Sequence, residues 1–242
     1  MDAIKTVNLT KTYKTIPAVD HLNLQVRQGE LFSLLGVNGA GKTTTIKMLS
    51  CLTLPTSGDA FLGGKSICRE PAAVKQQIAV SPQETAVAPG LSVWENLALM
   101  CGIHGLSKEA QAKKIAMLTE GLALQPVLRK KAGKLSGGWQ RRLSIAMALV
   151  GDPKILFLHE PTLGLDVLAR SHLWALIRSL KGKLTIILTT HYMEEAEALS
   201  DRVGIMRDGK LLICGTVTDI KKAAATEDFE EAFVRIVKEA TQ

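Results

Sequence analysis

Residues 36–43 read GVNGAGKT, and this octet constrains the fold more than any other stretch. It has the spacing G-x-x-x-x-G-K-[ST], follows the apolar run LFSLL directly and opens a helical pattern. A glycine-rich turn between a buried strand and a helix lets successive backbone N–H groups curl around an anion, and the helix start adds partial positive charge. Lys42 is then placed to reach terminal phosphates and Thr43 to hold Mg²⁺.

The rest of the pattern agrees with such a core. LFSLLG, QIAVSPQ, ILFLHEP and LTIILTTH are continuous apolar runs, suited to strands covered on both faces of a mainly parallel sheet. Helical stretches lie between them at Lys42 to Leu52, at Leu168 to Leu180 with Leu173, Leu176, Ile177 and Leu180 on one face, and at Met193 to Ser200. Ahead of the core, Ala3 to Glu30 holds short alternating stretches such as LNLQV, which read as antiparallel strands. Ser92 to Val150 contains no convincing strand and several helical patterns, and reads as a helical insertion. The expected class is α/β: a phosphate-loop core, an N-terminal antiparallel part over 1–30, core segments 31–83 and 151–215, a helical subdomain over 84–150, and a tail over 216–242. No internal repeat or low-complexity linker separates these parts.

Composition narrows the function classes. At 242 residues and 46% apolar, the chain can fill an ordinary core. No apolar run approaches the roughly 18 residues needed to span a bilayer, and MDAIKTVNLTKTYK lacks the apolar middle of a signal peptide, so a cytosolic location is expected. Cys51, Cys68, Cys101 and Cys214 are far apart and form no CxxC pair, which suggests neither zinc nor disulfides. The formal charge of +7 suits nucleic acid, an anionic membrane, a phosphorylated ligand, or simply a solvated surface. Two Tyr, five Phe and three Trp leave little for stacking on bases, so no nucleic-acid partner is expected.

Gln83, Glu160 and His191 each follow an apolar strand run. In an open α/β sheet, ligands bind outside the carboxyl ends of the strands, which would gather all three near the phosphate loop. KLSGGWQ, at 134–140, runs into the apolar helix RRLSIAMALV. Its Ser-Gly-Gly is either an N-cap or a second anion cradle, and spacing by itself leaves both open.

Taken together, GVNGAGKT, Gln83, LSGGWQ, the strand ending at Glu160-Pro161, LGLD at Leu163 to Asp166, and His191 resemble the nucleotide-binding subunits of ATP-binding cassette transporters, in that family's order and approximate spacing. The resemblance implies an ATP and Mg²⁺ site. Tyr13 would stack on adenine. Gly36, Asn38, Gly39, Ala40, Gly41, Lys42, Thr43 and Thr44 would form the Walker A loop. Gln83 would sense metal and the attacking water, Glu160 would be the general base, and His191 would be the switch histidine. Ser136, Gly137, Gly138 and Asp166 would act at a dimer seam, on nucleotide held by a second cassette, either a copy of this chain or a paralogue. A separately encoded transmembrane subunit would dock near Glu84 to Trp94, leaving the chain on the cytoplasmic face of the cell membrane. LSGGWQRRLSIAMAL and TEDFEEAF are similar to the bacterial ABC-2 type exporter group.

One residue departs from the family pattern. The residue before the catalytic glutamate is an aspartate in the family, and here it is His159. Neutral imidazole in place of that carboxylate removes an attraction to a divalent ion of about 3–7 kcal/mol at an effective dielectric of about 20, before screening. His159 therefore enters the metal site only indirectly, beside Thr43 and Gln83. Three readings stand: a working ATPase with weakened metal affinity, a nucleotide-binding switch or regulatory subunit with little turnover, and a single-base variant. The expected function is an ATPase that powers export, with hydrolysis weakened at His159; a non-transport ATP switch is the alternative.

Overall fold

The computed structural model describes residues 2–240. Four strands open the chain: β1 (Asp2–Tyr13), β2 (Ile16–Leu22), β3 (Gln25–Arg27) and β4 (Leu31–Leu35). Helix α1 (Lys42–Leu49), strands β5 (Ser57–Leu62) and β6 (Lys65–Ser66), α2 (Pro71–Lys75) and β7 (Ile78–Ser81) follow. Then come α3 (Val93–Ile103), α4 (Lys108–Gly121) and α5 (Gly137–Ala148). The second half alternates β8 (Ile155–His159), α6 (Val167–Leu180), β9 (Thr185–Thr190), α7 (Met193–Leu199), β10 (Arg202–Arg207) and β11 (Lys210–Gly215), and ends in α8 (Val217–Ala223) and α9 (Phe229–Glu239).

These strands form two sheets. The larger has the order β11-β10-β4-β9-β8-β7, and all its pairings are parallel except β10 with β11. Every residue of β4, β8 and β9 is buried, as expected for strands sandwiched between helices. Side chains alternate across the sheet. Ile155 and Phe157 join the core under the antiparallel sheet and α1, whereas Leu156 and Leu158 join the one shared with α3, α4 and α5. The helical insertion is therefore packed on the parallel sheet through a continuous core.

The smaller, antiparallel sheet has the order β2-β1-β5-β6, with β3 also on β1. It draws β5 and β6 from the stretch that the sequence reading left within the core. SGDAFLGGKS lacks a long apolar run, and only the pairing of β5 with β1 and of β6 with β5 reveals it as strand. Helix α1 stops at Leu49, short of the expected Leu52. Cys51 turns left-handed at φ 55°, and Leu52 is 69% exposed. In the tail, Phe229 and Phe233 lie one turn apart on α9 and seal Leu35, Val203 and Ile205.

Helix α3 starts with a full capping box. The Ser92 hydroxyl accepts from the Glu95 backbone N–H, and the Glu95 carboxylate accepts from the Ser92 N–H. This exchange occupies donors that a helix start leaves free. Ser92→Ala is expected to lower the unfolding free energy by about 1 kcal/mol in a denaturant titration; no loss would show that the box carries no stability.

Candidate active site

Strands β4, β9, β8 and β7 are neighbours, so their carboxyl ends open side by side. The chain leaves β4 at Gly36, β8 at Glu160, β9 at His191 and β7 at Pro82. Between these exits is a polar cleft of about 470 Å³, lined by Asn38 through Thr44, Gln83, Glu160 and His191, with Ala18 and Leu163 at its rim. A depression of about 720 Å³ on the antiparallel sheet, around His21, Asp59, Cys68 and Arg69, is larger. It is remote from the strand ends and holds no comparable set of convergent donors.

The loop after β4 needs its glycines. A Cβ on Gly36 would meet the Met206 carbonyl oxygen at 2.4 Å, and Gly41 sits at φ +103° with the Ala18 carbonyl oxygen 2.5 Å from where its Cβ would lie. Both positions exclude a side chain. Lys42, at the first turn of α1, is 5% exposed. Its Nζ donates to the carbonyls of Gly36 at 2.6 Å and Val37 at 3.1 Å. Burial pulls its pKa below the ordinary lysine value, while the Glu160 carboxylate pulls it back up. An incoming phosphate would replace two neutral carbonyl partners with a charged one, and charge-assisted hydrogen bonds are the stronger kind.

His159 is the last residue of β8, two positions after Phe157, so it points toward α1. Its Nε2 lies 2.9 Å from Thr43 Oγ1 and its Nδ1 lies 2.6 Å from Thr189 Oγ1. Thr189 is its cross-strand partner on β9. The residue is 8% exposed. Desolvation holds its pKa below the usual histidine value; Glu160 opposes this, and Lys42, Arg141 and Lys47 add to it. A neutral ring with its proton on Nδ1 donates to Thr189 and accepts the Thr43 hydroxyl proton at Nε2. In that arrangement, a lone pair of Thr43 still faces the cleft.

Glu160, 8% exposed, adopts a left-handed backbone at φ 47°, and its N–H donates to the Thr189 carbonyl. Non-glycine residues seldom adopt this conformation, and it is found disproportionately at functional sites. His191 Nδ1 lies 3.4 Å from Glu160 Oε1, without hydrogen-bond alignment. Among the described residues, no group of three or more His, Cys, Asp or Glu could hold a metal ion. Mg²⁺ in phosphate sites is held by one or two carboxylates together with waters and substrate phosphates, and the oxygens this cleft offers such an ion are those of Thr43, Gln83 and Glu160.

The other sequence-derived residues are not among those lining the cleft. Tyr13, at the end of β1, is 47% exposed, with Lys11 Nζ 5.2 Å from its ring centre. Ser136 occupies the N-cap position of α5, but its side chain makes no capping bond. Ser136 and Gly137 are exposed. Asp166 caps α6, accepting from the Ala169 N–H at 2.9 Å. Sequence reasoning missed Thr189, whose hydroxyl orients His159, and Arg141, whose guanidinium holds the Gln83 loop. Thr189 lies in no motif and Arg141 lies within LSGGWQRRLSIAMAL beside a second arginine, so only strand register or helix phase could point to them.

A glycine phosphate loop on the central strand of a parallel sheet, with polar residues at the neighbouring strand ends, defines a nucleotide-binding core of the P-loop class. Residues 19–163 match the family model described as ABC transporter, and the chain belongs to that family. It is 42% identical over 241 residues to the doxorubicin resistance ATP-binding protein DrrA of Mycobacterium tuberculosis, covering 98% of this chain and 72% of that protein. It is 38% identical over 240 residues to "Probable multidrug ABC transporter ATP-binding protein YbhF" of Escherichia coli, covering 97% of this chain but 41% of that protein's length. Among solved structures, it superimposes on the dimeric, ADP- and Pi-bound post-hydrolysis state of the ATP-binding cassette MJ0796 with a TM-score of 0.78, at 27% identity over 88% of this chain and 98% of that one. Among the described residues, no helix is long and apolar enough to cross a membrane.

Proposed function

We propose that the chain binds and hydrolyses ATP as the energy-coupling cassette of an exporter, docking on a separate transmembrane subunit at the cytoplasmic face. The observation that carries this reading is the convergence of Lys42, Thr43, Gln83, Glu160 and His191 on one polar cleft. The loop N–H groups and Lys42 bind the β- and γ-phosphates. Glu160 accepts a proton from the attacking water, and Gln83 orients that water. His191 donates to a γ-phosphate oxygen as charge develops there. Positioning and charge stabilisation of this kind are most of what phosphoryl transfer requires of a protein. Mg²⁺, held by Thr43 and Gln83 with His159 behind Thr43, would neutralise phosphate charge when bound with the nucleotide. Tyr13 stacks on the base.

Ser136, Gly137 and Gly138 do not line their own cleft, and the free Ser136 hydroxyl supports a role on a partner's nucleotide. Asp166 lies at the same seam. The exposed faces of Trp94, Leu99 and Ile103 on α3 support docking of a membrane subunit there, beside a depression of about 590 Å³. The names of DrrA, a doxorubicin resistance protein, and YbhF, a probable multidrug ABC transporter protein, support export. His159 favours a second reading, a nucleotide-binding regulator with little turnover.

The purified chain is expected to release phosphate from ATP and to sediment as a dimer with ATP but as a monomer without it. A monomer that hydrolyses nothing in saturating ATP and Mg²⁺ would overturn the first reading. Dimerisation without turnover would select the second.

A further inference from the structure

Helix α5 carries Ser136–Gly138 at its tip, and one turn further on it grips the strand end that bears Gln83. Arg141 is 5% exposed. Its Nη1 donates to the Pro82 carbonyl at 2.6 Å and its Nη2 to the Gln83 carbonyl at 2.7 Å. Ser144, one turn later on the same face, meets the hydroxyl of Ser81 at 3.0 Å. These bonds tie α5 to three consecutive residues at the end of β7. Burial lowers the Arg141 pKa, opposed at longer range by Glu195, a completely buried carboxyl on α7 whose own pKa burial raises. Glu195 also accepts from Trp174 Nε1 at 3.2 Å on α6, and Thr190, just before His191, adjoins it.

We propose that Arg141 is a positioning residue that makes the Gln83 loop and the Ser136–Gly138 tip move as one body. A nucleotide in one protomer's cleft is then registered at the tip the same protomer offers its partner. The inference rests on the proposed two-cassette reading. Its physical basis is the fork: a planar guanidinium holds two successive carbonyls in fixed relative orientation, which a single ammonium cannot do. What holds the buried guanidinium is this pair of carbonyls; Glu195 acts on it only at longer range, without an ion pair, and burial raises the pKa of that carboxyl. The bond to Gln83 uses its main chain, which leaves the side-chain amide free to face the cleft.

The test compares the full chain with Arg141→Met and Arg141→Lys by hydrogen exchange, ADP binding and steady-state ATP hydrolysis. In Arg141→Met, the amides of residues 83–87 are expected to exchange at least about tenfold faster, while those of β4 and β9 hold their protection. ADP affinity stays within about twofold, kcat falls about tenfold, and cooperativity in ATP drops toward a Hill coefficient of about 1. Arg141→Lys should recover only part of each. If Arg141→Met fails to fold, the lysine variant by itself must show faster exchange at 83–87. Unchanged exchange there overturns the clamp. Faster exchange with unaltered kcat and cooperativity overturns the coupling, and so does a kcat loss that merely tracks weaker nucleotide binding. A wild-type chain without turnover would refute the proposed function instead. The exchange arm, which needs no turnover, would then decide the role of Arg141: ADP-induced protection at 136–140 must be present in wild type and lost in Arg141→Met.

Discussion

Glu160→Gln is expected to lower the rate of ATP hydrolysis about 10²–10⁴-fold, the contribution typical of a positioned general base. Glutamine has nearly the same volume and the substitution keeps the backbone N–H bond to Thr189, so the fold and the left-handed turn at this residue should persist. Nucleotide affinity should change little, because the phosphates are gripped by the loop and Lys42. Removing the carboxylate also removes the charge that pulls the Lys42 pKa upward, a small effect on a lysine that gains phosphate as its partner. ATP should therefore accumulate in a long-lived dimer, visible by sedimentation, while phosphate release stops. Turnover within about threefold of wild type would show that another group activates the water.

The second large effect is expected at His159, where the family resemblance implies an aspartate. His159→Asp should lower the Mg²⁺ concentration for half-maximal turnover about tenfold or more, since each tenfold step is about 1.4 kcal/mol. The Coulomb gain is nominally larger, but burying a carboxylate in place of a neutral ring costs part of it. The cost has its own signature. Aspartate is shorter than histidine, and the present ring spans from Thr43 to Thr189. The variant should melt lower than the parent without metal and recover when Mg²⁺ and ADP are added together. Thermal melts with and without the ion thus read the substitution independently of catalysis. Identical Mg²⁺ titrations together with identical melts would mean that His159 replaces the aspartate without consequence.

The structure gives a reason why histidine is tolerated here at all. Thr43 needs an acceptor for its hydroxyl proton, and the neutral imidazole supplies one at Nε2 while Thr189 fixes the ring. The hydrogen bond is kept and the charge is lost. A weakened metal site and an intact cleft are therefore compatible.

Much of this organisation was legible from residues 31–43 and from the apolar runs, because a strand buried on both faces reads as an uninterrupted apolar stretch. The parts that were not legible have physical causes. Strand β5 carries no continuous apolar run, its pairing with β1 is a long-range choice, and the two-residue β6 follows from its hairpin with β5. The end of α1 depends on one left-handed residue, Cys51, that no local pattern signals. Arg141 stands beside Arg142 in the sequence, yet Arg141 is 5% exposed and grips the Gln83 loop, whereas Arg142 lies 4.8 Å from the Trp139 ring. Their difference is set by helix phase against β7.

The sequence by itself determined the phosphate loop, the alternation of buried strands with helices, and the substitution of histidine at the end of β8, because these are matters of spacing and residue type along a few consecutive positions. Only the tertiary structure decided that His159 bonds Thr43 and Thr189 and that Glu160 and His191 face each other. Strand order brings β4, β9 and β8 together across more than 100 residues of chain, and hydrogen bonds at that range depend on register, which no local pattern encodes.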